Sequence, residues 1–520
     1  MQGNNNKETG SFYTPQPLVN YMVSYISERV KPSSILEPSA GDGRFVNALR
    51  RFNCQITLVE SEKEKSDALA QKYGNNCIVY NSDFINFSIR KEDAYDLIIG
   101  NPPYIKKKKI VKSQIEASEK IITCFKLNKE VFQNLWVSFV LASIKLLSHH
   151  GAIFFVLPFE FLQVQYAAKL RVFLEDRFNT IEIITFEDKV FDDIEQDICL
   201  VYLTNEAKAR PYIQYTTIKN PQKPIQLFQS KIMRNKPLKK WSNCILNDEE
   251  TERLNYLSKR FPKVNSFGEI SPGIVTGSNS FFILSKINMD KLDVPSNNVI
   301  PIISKSSVLS RSLIFKKSDF NAICGEKNRT HMLLLKDLDY SDFSNNLKAY
   351  IEKGEKQKIN EQYKCSIRKR WYDVPFIKKG AVCFFKRYSI IPRVIINNAN
   401  IHTTDIAYNV RFNDQYDPAS FAFCFYNSLT LALCEYNGRF YGGGVGELVP
   451  SEFKELPIPY MKIDKKAINK LELLFRNKKF NVEETINFVD SIVLSALEAE
   501  EKVFLQDVRN RYLERRLKNA

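Results

Sequence analysis

Between Ser34 and Leu203 short apolar runs alternate with helical patterns, and this alternation restricts the fold more than any other feature of the sequence. The strand candidates are Ser34–Glu37, Ile56–Glu60, Ile78–Tyr80, Tyr95–Gly100, Ala152–Pro158, Ile181–Thr185 and Ile198–Leu203. Helical periodicity falls between several of them, over Arg44–Phe52, Glu62–Tyr73, Glu130–Leu147 and Ala167–Phe178. Parallel strands need long crossovers and helices supply them. The pattern therefore predicts an α/β domain, a mostly parallel sheet with helices on both faces. In such sheets ligands bind outside the carboxyl ends of the strands.

The rest of the chain reads differently. Asn205 to Lys240 is polar with scattered Pro and many Lys, which predicts a linker. Trp241 to Pro459 holds short, aromatic-rich segments with frequent Asn and Gly, which predicts a mixed α+β domain. Val482–Leu517 has helical spacing of Ile486, Val489, Val493, Leu497, Val503 and Phe504 and predicts one helix packed on that domain. The expected division is 1–235, 236–460 and 461–520, ordinary for 520 residues. Charge divides the same way. Residues 1–200 carry 24 Lys and Arg against 25 Asp and Glu, leaving 51 against 34 for residues 201–520. A neutral half joined to a basic half predicts an enzyme core with a polyanion-binding module.

Several classes are disfavoured. No apolar run approaches ~18 residues, so no membrane span is expected. Met1 to Thr9 is polar and lacks the core of a secretory signal. The ten cysteines are scattered without a C-x-x-C pair, and only four histidines occur. These features predict a reducing, cytoplasmic setting, no disulfide framework and no metal site.

Four clusters at strand ends carry chemistry. In Glu37-Pro38-Ser39-Ala40-Gly41-Asp42-Gly43 the glycines permit close backbone approach. Glu37 and Asp42 are acidic where a phosphate loop would need positive charge, so the turn suits a cationic or hydroxyl-rich ligand. Glu60 ends the next strand, 19 residues after Gly41, where a carboxylate accepts from ribose hydroxyls. Asp83-Phe84 follows the third strand, an acceptor and a ring for adenine. Asn101-Pro102-Pro103-Tyr104 follows the fourth. Two prolines remove two amide donors and fix φ. The remaining turn offers carbonyl oxygens and the Asn101 amide oxygen, a pocket that accepts from an NH2 group, with the Tyr104 ring beside it.

On these residues the chain resembles the DNA adenine-N6 methyltransferases of the gamma motif order, restriction-modification enzymes of bacteria. Asn101–Tyr104 matches their catalytic tetrapeptide, and Glu37–Gly43 their first S-adenosylmethionine (AdoMet) motif. Glu60, Asp83 and Phe84 match the ribose and adenine contacts, and Gly151 to Leu162 the strand and turn after the catalytic motif. Gly10 to Pro15 matches the N-terminal motif that closes over the methionine end, which brings in Tyr13, Thr14 and Pro15. Phe191 matches the aromatic that packs on the flipped base, with Phe186 a nearby competitor. The resemblance implies a Rossmann-like AdoMet-dependent sheet followed by a target-recognition domain. It extends through Gly273–Asn279, Phe281–Leu284, Cys365–Pro375, Pro392–Thr404, Gly442–Gly444 and Pro457–Pro459.

The implied partner is double-stranded DNA, acted on by a monomer, with any cognate endonuclease encoded separately rather than fused before Gly10. Lys106, Lys107, Lys108 and Lys109 are expected to meet phosphates, the alternative being a solvated run. Thr276, Asn279, Arg368, Arg370 and Trp371 are candidate DNA contacts, with packing an equal alternative for the Arg368–Tyr372 cluster. The rivals are methylation of RNA or of a protein glutamine, and a catalytically silent DNA-specificity subunit. No Pro-Cys dipeptide is present, which disfavours cytosine-C5 chemistry.

Overall fold

The computed structural model describes residues 13–191, 197–205, 210–234, 237–238, 240–309, 311–325, 327–441 and 443–517. Two compact units emerge. The first takes the described residues up to Glu252, and the second comprises Arg253–Phe440 and Val445–Arg516.

The first unit is built on nine strands. They are β1 (Ser34–Glu37), β2 (Gln55–Glu60), β3 (Cys77–Asn81), β4 (Tyr95–Gly100), β5 (Leu147–Pro158), β6 (Thr180–Phe186), β7 (Ile198–Thr204), β8 (Tyr212–Ile218) and β9 (Gln226–Met233). The sheet order is β3-β2-β1-β4-β5-β7-β6-β8-β9. From β3 through β5 every pairing is parallel. β7 inserts antiparallel between β5 and β6. β1 pairs with β2 on one side and β4 on the other, so the chain changes direction across the sheet there and a crevice opens at the strands' carboxyl ends.

Helices α1 (Gln16–Ser27), α2 (Arg44–Leu49), α3 (Lys63–Tyr73), α4 (Phe84–Arg90), α5 (Lys112–Cys124), α6 (Leu135–Lys145) and α7 (Ala168–Arg177) flank the strands. On α1 the buried side chains Leu18, Val19, Met22, Val23 and Ile26 recur at helical spacing, and they join the core over β1, β2 and β4. In α6 every residue from Leu135 to Ile144 is buried, as expected for a helix apolar all round.

The expected linker is instead part of the sheet. β8 pairs parallel with β6, and β9 pairs antiparallel with β8. Tyr-Ile-Gln-Tyr-Thr-Thr-Ile in β8 is β-branched and aromatic enough to form a strand. Its signal is masked by the polar flanks and by β9, whose outward residues face solvent on a sheet edge. The chain stays tied to the first unit through Trp241. Its ring is fully buried edge-on against Phe161, and its Nε1 donates to Glu175 Oε1 at 2.7 Å.

The second unit contains three small sheets, with strands in the order Gly268–Pro272, Ala407–Phe412, Val382–Phe385, Arg393–Ile396 in one, Ile283–Leu284, His331–Leu333, Val299–Ile303, His402–Thr403 in another, and Arg387–Tyr388, Val445–Glu447, Arg439–Tyr441 in the third. The expected single C-terminal helix is two, α9 (Val482–Val493) and α10 (Ala499–Leu517). The turn between them buries Leu494 and Leu497, and Glu501 Oε2 accepts from the Glu498 amide at 3.2 Å. No Gly or Pro marks that break. It also resets the helical phase, leaving Val503 65% exposed while Leu505, Val508 and Tyr512 face inward.

A buried carboxyl joins α9 to α8 (Ser428–Asn437). Asp490 Oδ1 accepts from the Ser428 amide at 2.9 Å, and burial pushes its carboxyl up from 3.8 to about 6. The folded chain thus holds this proton more tightly than the unfolded chain does, so the group's contribution to stability falls as pH rises from about 4 to about 6. Asp490→Asn keeps an acceptor for Ser428 and removes the titration. Its stability relative to wild type should therefore grow by on the order of 2 kcal/mol between pH 4 and pH 7, read from urea unfolding at both values.

Candidate active site

The turn after β1 is set by its neighbour. The Ala40 amide donates to the Val59 carbonyl at 3.0 Å, which carries the β1–β2 pairing past the end of β1. Gly41 therefore lands beside Glu60, and its amide donates to Glu60 Oε2 at 2.8 Å. The Glu62 amide donates to Oε1, also at 2.8 Å. The carboxylate is held in place while each oxygen keeps further acceptor capacity. Gly41 and Gly43 adopt φ of +57° and +79°. A Cβ on Gly41 would make only ordinary contact with the Tyr13 ring at 3.6 Å. On Gly43 it would meet Leu69 Cδ2 at 2.8 Å and the Tyr73 ring at 2.9 Å, both buried.

Asp83 caps α4, accepting from the Asn86 amide at 2.9 Å through Oδ1, and its Oδ2 accepts from Gln114 Nε2 at 2.6 Å. Phe84 packs against Phe139, ring centroids 5.0 Å apart. At the end of β4, the Asn101 carbonyl accepts from Ser39 Oγ at 3.0 Å, and Asn101 Nδ2 donates to Thr14 Oγ1 at 3.2 Å. Arg44 braces the opposite side. It donates to the Thr14 carbonyl at 3.1 Å, pairs with Asp42 at 2.9 Å and lies over the Tyr13 ring.

These residues enclose one cavity of about 390 Å³. Tyr13, Thr14, Glu37, Pro38, Ala40, Gly41, Asp42, Glu60, Asp83, Phe84 and Asn101 through Tyr104 all line it. Pro15, Gly43 and Phe191 do not line it. Pro15 starts α1, and Gly43 supports the turn from behind. Phe191 is buried in the same apolar cluster that Tyr104 packs against, whereas Phe186 turns edge-on to Tyr21. Ser39, Arg44, Lys65, Gln114, Leu135 and Phe139 are among the further lining residues and were not among the expected site residues. Ser39 and Arg44 sit inside the first motif. The others come from α3, α5 and α6, and no sequence spacing links them to the strand ends.

The electrostatics are acidic. Glu37 is 1% exposed, and its Oε2 has no hydrogen-bond partner among the described residues. Burial, then Asp42 and Glu60, raise its carboxyl well above the ordinary range. Burial likewise drives the Tyr104 hydroxyl well up, with Cys199 and Glu160 contributing. The cavity lacks a donor partner at Glu37 and offers fixed carboxylates at Glu60 and Asp83. That combination fits a cationic, hydroxyl-bearing ligand.

The candidate DNA contacts divide. Lys107–Lys109 form a short 3-10 helix. Lys107 is engaged by the chain itself, pairing with Glu119 at 3.2 Å above the Phe132 ring. Lys106, Lys108 and Lys109 are exposed, and Lys109 reaches the cavity rim. In the second unit Arg368 donates to the Val275 and Thr276 carbonyls, both at 2.9 Å, and Arg370 donates to the Leu338 and Lys336 carbonyls and pairs with Asp373. Trp371 packs on Phe281 and donates to Glu355 at 3.0 Å. All three side chains thus make internal contacts within the second unit. Thr276 is buried and donates to Asn279 Oδ1 at 2.6 Å, while Asn279 is exposed. Gly10–Phe12 and Gly442 lie outside the described residues. Among those residues no three His, Cys, Asp or Glu side chains cluster as metal ligands, and no helix is long and apolar enough to cross a membrane.

Residues 34–191 match the family model of the Eco57I restriction-modification methylase, and residues 238–494 that of the C-terminal domain of the type II methyltransferase M.Eco57I. The chain belongs with the Eco57I-like type II restriction-modification methyltransferases. Type II methyltransferase M.AccI of Acinetobacter calcoaceticus is 26% identical over 94% of this chain and 93% of its own length. M.HincII of Haemophilus influenzae is 31% identical over 37% of this chain and 36% of its own. The type IIL restriction-modification enzyme MmeI, solved in complex with DNA, is 10% identical with a TM-score of 0.62, over 99% of this chain and 80% of that one. That likeness concerns the fold.

The two loop glycines should separate in experiment. Gly41→Ala incurs only the left-handed backbone cost of ~1 kcal/mol, whereas Gly43→Ala adds a clash inside the core and should lose ~2–3 kcal/mol of unfolding free energy in urea titration.

Proposed function

We propose that the chain transfers a methyl group from AdoMet to the N6 amine of an adenine flipped out of duplex DNA, at a defined sequence. The observation that carries this reading is the Asn101–Tyr104 turn opening into the same cavity as Glu37, Gly41 and Glu60. The relatives named as type II methyltransferases support it. AdoMet fits the donor set: Glu37 for an ammonium, Glu60 for the ribose hydroxyls, Asp83 and Phe84 for the adenine. When bound, it supplies an electrophilic methyl group on a sulfonium centre.

The chain's own residues do the rest. The target base must leave the stack, because its amine cannot reach the cavity inside a duplex. Asn101 Oδ1 and the Pro102 carbonyl accept from the N6 hydrogens and localise the nitrogen lone pair. Positive charge grows on that nitrogen as the sulfur departs as a neutral thioether, fixed carbonyl dipoles and the Tyr104 face stabilise it, and the nitrogen then gives up one proton to solvent. Positioning dominates, so no covalent enzyme intermediate is required.

The test is transfer of labelled methyl to unmethylated duplex DNA, followed by digestion to nucleosides. Wild type should yield N6-methyladenine, and Asn101→Ala should lose at least ~100-fold in rate. Label confined to protein or RNA would overturn the reading, as would tight DNA binding without transfer.

Glu37 adds a pH signature. Its raised carboxyl is neutral in the lower part of its titration and cannot pair with an ammonium. AdoMet affinity should therefore strengthen as pH rises past the ordinary carboxylate range, and Glu37→Gln should flatten that slope in titration calorimetry.

A further inference from the structure

We propose that Gln114 Oε1 is an acceptor for the exocyclic amine of the cofactor's adenine, which makes Gln114 a residue that selects a 6-amino purine over a 6-oxo one. This rests on the reading of the cavity as an AdoMet site. An adenine amine carries two hydrogens, and Asp83, the expected acceptor, is already largely engaged. Its Oδ1 accepts from the Asn86 amide at 2.9 Å and from Asn86 Nδ2 at 3.1 Å, and its Oδ2 accepts from Gln114 Nε2 at 2.6 Å. A carboxylate accepts about four hydrogen bonds, so Asp83 has room for about one of the two amine hydrogens.

The contact that fills Asp83 also orients Gln114. A carboxylate has lone pairs and no proton to give, so only the amide nitrogen can face it. Turning the amide over would bring the Gln114 oxygen against the Asp83 oxygen. With the NH2 committed to Asp83, Oε1 is left for a ligand, and no described residue donates to it. The backbone fixes where this amide stands. Gln114 lies in the first turn of α5, its own amide donating to the Val111 carbonyl at 3.1 Å. Ala117, Ser118 and Ile121 follow at helical spacing and are buried, so Gln114 begins the inward stripe of that helix. It lines the cavity together with Asp83, Phe84 and Phe139. A 6-oxo purine would put a carbonyl lone pair where the amine puts a hydrogen, facing acceptors at Asp83 and Gln114 alike. The competing explanation is that Gln114 only steadies Asp83. The two differ in what a side chain that donates but cannot accept would do.

Gln114→Lys is that variant, since it keeps a donor for Asp83 and has no acceptor. It is titrated by calorimetry beside wild type with S-adenosylhomocysteine, the demethylated cofactor, and with its 6-oxo counterpart S-inosylhomocysteine. Both ligands carry the same charge, so the charge added by lysine cancels in the ratio of their affinities. Wild type should prefer the adenosine ligand, and that preference should shrink about tenfold in Gln114→Lys through lost affinity for the adenosine ligand. A Lys variant with the wild-type preference would overturn the proposal and leave Gln114 a strut for Asp83. So would an equal loss for both ligands. If Gln114→Lys fails to fold, Gln114→Arg makes the same donor-only comparison. Wild type that binds neither ligand would overturn the AdoMet reading together with this inference, whereas wild type that binds both equally would overturn the inference alone.

Discussion

Parallel pairing of β1 with β2 on one side and β4 on the other is the constraint from which the candidate site follows. It stops three strands at one edge of the sheet, so Glu37, Glu60 and Asn101 end together although 64 positions separate the first from the last. The extra pairing from Ala40 to Val59 then fixes where the turn begins, and the Gly41 amide meets Glu60 as a result. Both loop glycines are needed by this geometry, one for its φ and the other for its φ and its neighbours.

Much of this was legible in the sequence. The strands Ser34–Glu37 and Tyr95–Gly100 are observed with the expected bounds, because a buried parallel strand is a short apolar run between turn residues. The lining at the strand ends was legible for the same reason. Three things were not. The edge strand β9 buries only Ser230 and Ile232, so it reads as polar linker. The break between α9 and α10 depends on buried leucines, which no local breaker announces. Gln114 and Lys65 reach the cavity from helices whose own periodicity reports only their buried faces. In the Arg368–Trp371 cluster, charge alone does not report the backbone carbonyls to which both arginines donate.

Electrostatics divide labour within the chain. The cavity gathers Glu37, Asp42, Glu60 and Asp83 beside Arg44, Lys65 and Lys109, an acidic balance that suits a cationic small molecule. Positive charge is concentrated in the residues after position 200. Attraction for a polyanion and selection of what enters the cavity are therefore carried by different stretches of sequence, and each can vary without disturbing the other.

The clamp on Asn101 has a consequence for synthesis. Its partners Ser39 and Thr14 both precede it, and every cavity-lining residue lies between Tyr13 and Phe139. A ribosome has therefore made all the groups of the cavity, and with β5 the strand that backs β4, before most of the basic sequence exists. The whole pocket is encoded within residues 1–200, the stretch whose Lys and Arg balance its Asp and Glu. The excess of lysine and arginine follows it in the order of synthesis.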